Sequence, residues 1–97
     1  MRVSSIQKDL LFVLYAIEQN GRATPVEGRK ILEMLNRNRV RDLHSSNFRA
    51  SCHTLAKHGL ISIYRNRSLM IALSLTNEGR VPAMEIYEER IREINEE

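Results

Sequence analysis

The sequence has 97 residues, which fits one domain and leaves little room for a second. Apolar residues make up 42% and charged residues 28%, a globular balance that excludes a disordered chain, and the longest apolar run, Leu10 to Ile17, is far short of a membrane span. The net charge of +3 conceals a split: residues 1–81 carry 13 basic and 6 acidic side chains, a balance of +7, and residues 82–97 carry 2 basic and 6 acidic, a balance of −4. A basic body with an acidic tail points to an anionic partner for the body.

Ser4 or Ser5 caps a first helix whose apolar positions Ile6, Leu10, Val13, Leu14 and Ile17 follow helical spacing. Phe12 and Tyr15 widen that stripe, and Asn20 and Gly21 end it. Thr24-Pro25-Val26-Glu27 predicts the start of a second helix, with a capping Thr, a first-turn Pro and a Glu three residues on. Val26, Ile31, Leu32 and Leu35 supply its buried side, and Gly28 inside it costs about 1 kcal/mol against Ala. Residues 36–44 read as a frayed helix end and a loop, in which Arg37, Arg39 and Arg41 serve either a solvated connector or phosphate contact.

A third helix starts at Ser45 or Ser46, buries Phe48, Cys52, Leu55 and Ala56, and ends in Lys57 and His58, with Gly59 suited to the left-handed position just beyond. The pattern then alternates. Ile61 and Ile63 form one strand, Leu69, Ile71, Leu73 and Leu75 another, and Arg65-Asn66-Arg67-Ser68 is the polar tip of the hairpin between them. Such a hairpin needs helices beneath it to be stable. Thr76-Asn77-Glu78-Gly79-Arg80 breaks the second strand, and Pro82 opens a last helix running to the C-terminus. Met84, Tyr87, Ile91 and Ile94 form a short heptad seam along that helix.

Three helices, a two-stranded hairpin and a C-terminal helix can fold as a winged helix-turn-helix, and two phrases carry a resemblance. Leu55-Ala56-Lys57-His58-Gly59-Leu60-Ile61 resembles the end of a recognition helix running into the first wing strand, and Leu75-Thr76-Asn77-Glu78-Gly79-Arg80 resembles the exit from the wing. Both are similar to bacterial winged-helix repressors of the MarR and PadR groups, over about residues 5–80. The resemblance implies a mainly α fold with a small β-hairpin: a DNA-binding domain over residues 1–81 and an acidic amphipathic helix over 82–97. The connection from Leu35 to Ser45 is longer than a tight helix-turn-helix turn, so either the second helix runs on through Arg39 or an extra loop is present.

With Phe48 turned to the core, a 100° step per residue points Ser46, Ala50, His53 and Lys57 outward, flanked by Arg49 and Thr54, with Asn47 at the edge. The expectation is that Asn47, Arg49 and His53 reach base edges, that Ser46, Thr54 and Lys57 hold phosphates, and that Ala50 lets the helix sit close to the groove or touches a thymine methyl. Arg65 and Arg67 at the wing tip suit the minor groove or a phosphate. The Met84, Tyr87, Ile91, Ile94 seam either folds back on the first helix or forms a homodimer contact, and the dimer is the reading taken here.

Cys52, His53, His58 and His44 do not complete a metal site: Cys52 lies on the apolar side, His53 faces away from it, and there is no second cysteine. No phosphate-binding glycine loop, nucleophile elbow or convincing carboxylate pair suggests an enzyme, and no cofactor is expected. Arg2 is followed by no cleavable apolar segment, so the chain is expected to be cytoplasmic. The function these features imply is a sequence-specific, double-stranded DNA-binding transcriptional regulator, a repressor acting as a homodimer on a palindromic operator. The alternatives are a winged-helix interaction module that contacts a protein partner through the acidic C-terminal helix without binding DNA, and a plasmid or phage replication or partition protein.

Overall fold

In a computed structural model, which describes residues 3–37, 39–68 and 70–96, the chain runs α1 (Ser5–Gln19), β1 (Val26–Glu27), α2 (Gly28–Asn36), α3 (Ser45–Lys57), β2 (Ile61–Arg65), β3 (Ile71–Leu75) and α4 (Asn77–Glu96). The expectations at Leu69 and at Glu97 lie outside the described residues. Ser4 caps α1 through a capping box: its hydroxyl accepts from the Gln7 amide at 3.2 Å, and the Gln7 side chain accepts from the Ser4 amide at 3.1 Å. Of the predicted stripe Leu10, Leu14 and Ile17 are buried and Ile6 and Val13 half-buried, and Leu11, outside that stripe, is buried with them.

The second helix departs from the sequence reading. Thr24 and Pro25 do not open it, because Val26–Glu27 is a short strand paired with β3, Val26 opposite Leu73 and Glu27 opposite Ala72. Pairing with a strand far along the chain overrides a local capping signal. The sheet is therefore three-stranded and antiparallel, in the order β1-β3-β2, rather than a lone hairpin. Gly28 is the first residue of α2 instead of an interior one, and a Cβ there would fall 2.9 Å from Ile71 Cγ1, so it is close packing against β3 that calls for glycine.

Between Asn36 and Ser45 the long connection is an extra loop. The Asn36 side-chain carbonyl accepts from the Leu43 amide at 2.8 Å, and Leu43 is buried, which folds the loop back onto the core. α3 buries Phe48, Cys52 and Leu55 as predicted and begins at Ser45, without a side-chain cap. Its end follows the expected pattern. Gly59 has φ of +77°, its amide donates to Ala56 at 3.0 Å, and the Leu60 amide donates to Leu55 at 3.0 Å.

The last helix also starts earlier than Pro82. Thr76 caps it, the hydroxyl accepting from the Gly79 amide at 3.0 Å, so the polar run after β3 is a cap and a first turn and not a break. Pro82 lies inside α4 near its start. The same hydroxyl donates to the Gly59 carbonyl at 2.6 Å, and the Thr76 amide donates to the Leu60 carbonyl at 3.1 Å, which closes the root of the wing. α4 then packs along α1: Ala83 is buried, Tyr87 lies 5.4 Å from the Phe12 ring and 5.2 Å from that of Tyr15, and the Arg90 guanidinium stands 5.0 Å over Phe12. Arg80 clamps Glu18 at 3.0 and 3.1 Å from the other end of the pair.

Candidate nucleic-acid interface

α3 stands on the core through one side and turns the other to solvent. Ser46, Asn47, Arg49, Ala50, His53 and Lys57 are all exposed, and no acidic side chain occurs anywhere in Ser45–Lys57. The helix therefore offers donors and positive charge without competing carboxylates, as contact with base edges and phosphates requires. Thr54 differs from its neighbours. It is half-buried, and its hydroxyl donates to the Ala50 carbonyl at 3.0 Å, leaving only lone pairs to face outward.

The wing brings Arg65, the last residue of β2, and Arg67, in the turn, to one exposed tip. Asn66 shapes that tip. Its side-chain carbonyl accepts from the amides of Ser68 at 2.9 Å and Met70 at 3.1 Å, while its own amide donates to the Met70 carbonyl at 3.1 Å. The sequence marks Arg65 and Arg67 as candidate contacts but gives no sign of this role for Asn66. These bonds link Asn66 to Ser68 and Met70 across the tip, where Arg65 and Arg67 are exposed.

Between the start of α2, the start of α3 and the foot of β3 lies a cleft of about 220 Å³, floored by Leu32, Phe48 and Ile71 and rimmed by Arg29, Arg49 and Met70. It places Arg29 beside Arg49, on the same surface as the α3 residues. The sequence hides this neighbourhood, because the capping signal at Thr24 places Arg29 beyond the first turn of a helix that in fact begins at Gly28. Once Gly28 is its first residue, Arg29 and Lys30 fall in the opening turn, where a helix crossing a duplex meets the backbone.

Other expected residues lie elsewhere. Of the three arginines in the connection, Arg39 is bound to Asp9 at 3.1 Å and points toward α1, whereas Arg37 and Arg41 are exposed. On α4, Tyr87 is engaged with Phe12 and Tyr15 within the chain, because α1 runs alongside that part of the seam; Met84, Ile91 and Ile94 are exposed. Cys52 is fully buried, and burial pushes its thiol up to about 12. Among the described residues, no group of three His, Cys, Asp or Glu side chains is placed to hold a metal ion, and no helix is long and apolar enough to cross a membrane.

No protein-family model matches the chain, and no curated protein matches it. Solved structures do. A candidate DNA-binding protein from Ralstonia eutropha JMP134 superposes with a TM-score of 0.71 at 23% identity, over 89% of this chain and 99% of that one. The adhesin competence repressor AdcR of Streptococcus pyogenes gives 0.73 at 12% identity, over 97% of this chain and 62% of that one. ZitR of Lactococcus lactis, a zinc-responsive MarR family member, gives 0.68 at 19% identity, over 99% of this chain and 61% of that one. The chain thus spans about three fifths of the length of these two regulators. The shared architecture is the winged helix of MarR-type regulators, as the two sequence phrases implied.

Proposed function

We propose that this chain is a transcriptional regulator that binds double-stranded DNA sequence-specifically as a homodimer and represses by occupying a palindromic operator. One observation carries the reading: an acid-free α3 face and the two wing-tip arginines are exposed on a winged-helix scaffold. In this reading α3 lies in the major groove. Asn47, Arg49 and His53 address base edges, and the absence of a bulky side chain at Ala50 allows close approach or contact with a thymine methyl. Ser46 and Lys57 hold the flanking phosphates, and Thr54 joins them only when its hydroxyl turns its proton from the Ala50 carbonyl to the phosphate; Arg29 adds a phosphate contact from α2, and Arg65 and Arg67 reach the adjacent minor groove or its phosphates. Residues 1–81 make up the DNA-binding body, and the remainder of α4 supplies the dimer contact through Met84, Ile91 and Ile94. A two-fold axis there sets two α3 helices on half-sites about one helical turn apart. The occupied operator excludes polymerase, and the working compartment is the cytoplasm.

Fluorescence anisotropy with mixed-sequence duplex across a salt series tests this. Several neutralised phosphates predict a log–log slope of about −4 or steeper, at about −0.9 per phosphate. Absence of binding at low salt refutes the reading.

A further inference from the structure

Residues 39–44 and the C-terminal half of α4 lie on one side of the molecule because a single carboxylate joins Arg39 and Arg90. Asp9 Oδ2 accepts from Arg39 at 3.1 Å, and Asp9 Oδ1 accepts from Arg90 at 2.8 Å. The two neighbours carry opposite charge. The loop presents exposed Arg37 and Arg41 on either side of Val40, whose side chain is fully exposed at 105%. A β-branched apolar side chain at the crest of a cationic loop gains nothing from its own fold. The helix presents exposed Ile91 and Ile94, with exposed Glu88 one turn before Ile91 and further glutamates at 93 and 96.

A two-fold contact is self-complementary: whatever one element meets on the partner, its counterpart meets in return. A surface holding a basic apolar knob next to an acidic apolar helix satisfies that condition with a copy of itself. We propose that Val40 of each protomer, with Arg37 and Arg41 beside it, docks on α4 of its partner, Val40 against Ile91 and Ile94 and the two arginines toward Glu88, so that the contact occurs twice. This rests on the homodimer reading above and adds a second element to its interface. The docked loop is the one that leads directly into α3.

Sedimentation equilibrium of the full chain tests the arrangement, with circular dichroism confirming the fold of each variant. Arg37→Glu with Arg41→Glu is expected to raise the dimer dissociation constant about tenfold at about 50 mM salt and less at about 500 mM, since four exposed pairs are reversed per dimer. Adding Glu88→Arg to that variant is expected to recover most of the loss, and the uncharged change Val40→Ser alone is expected to raise the constant severalfold at either salt. If both loop variants dimerise within about twofold of the wild type while Ile91→Asp dissociates the dimer, the reciprocal contact is refuted and the α4 homodimer stands. A wild-type chain monomeric at about 100 μM refutes both.

Discussion

Replacing Gly79 with Ala sets two local effects against each other, and their magnitudes decide the outcome. In an isolated helix the change is favourable by about 1 kcal/mol. Here the added methyl would overlap the Leu60 carbonyl, a backbone atom that cannot swing aside. The first turn of α4 must withdraw, which strains or breaks the Thr76 amide bond to Leu60 at 3.1 Å and the Thr76 hydroxyl bond to Gly59 at 2.6 Å. Two such bonds contribute about 1 kcal/mol each, and the loosened contact beneath buried Ala83 adds a comparable amount. The net expectation is a loss of about 2 kcal/mol, or about 8–16 °C in Tm for a domain of this size. Thermal denaturation at matched protein concentration measures it, with Gly28→Ala as the milder control because its close neighbour is the Ile71 side chain. A Gly79→Ala protein as stable as the wild type, or more stable, refutes the placement of α4 against Leu60.

On the proposed interface, Arg49→Glu with Lys57→Glu is expected to abolish duplex binding while leaving Tm within a few degrees, since both side chains are exposed; normal binding by this variant defeats the assignment of α3. Arg29→Gln should weaken binding to all sequences alike and make the salt slope shallower by about 0.9, and an unchanged slope removes Arg29 from the interface. Ile91→Asp with Ile94→Asp should give a monomer in sedimentation, whereas a persistent dimer places the contact elsewhere. The Cys52 thiol should resist aromatic disulfide reagents at pH 8 until the chain unfolds, because burial holds it protonated up to about 12. Its contribution to stability should be constant below about pH 9 and fall as the pH rises toward 12, since only the unfolded chain releases the proton in that window. Fast labelling of the folded protein, or stability that rises through that range, contradicts this.

The parts of the fold that were legible in the sequence are those in which side-chain periodicity and burial agree locally. α1, α3 and β3 have unbroken patterns, and the outward face of α3 follows from a single assumption about Phe48. The misread boundaries share a cause. Thr24-Pro25-Val26-Glu27 satisfies a capping rule but joins a sheet because Leu73 and Ala72 are there to receive it, and nothing near residue 26 encodes that pairing. Pro82 suits a helix start, yet Thr76 caps α4 first because the wing root holds its hydroxyl against Gly59. The candidate site divides in the same way. The exposure of Arg49 and His53 follows from the periodicity of their own helix, but the place of Arg29 beside Arg49 depends on the boundary of α2, and Arg39 is diverted by a carboxylate on α1 that no local pattern associates with it.

The bonds from Thr76 to Gly59 and Leu60 bring three things to one joint: the end of α3, both stems of the wing and the beginning of α4. A joint so braced turns as a unit. In the proposed dimer, tilting α4 against its partner would therefore carry the wing tip and α3 with it, coupling the separation of half-sites to the reach of Arg65 and Arg67. A duplex with wrongly spaced half-sites would lose wing and groove contacts together, so operator spacing would be read more stringently than either contact could read it alone.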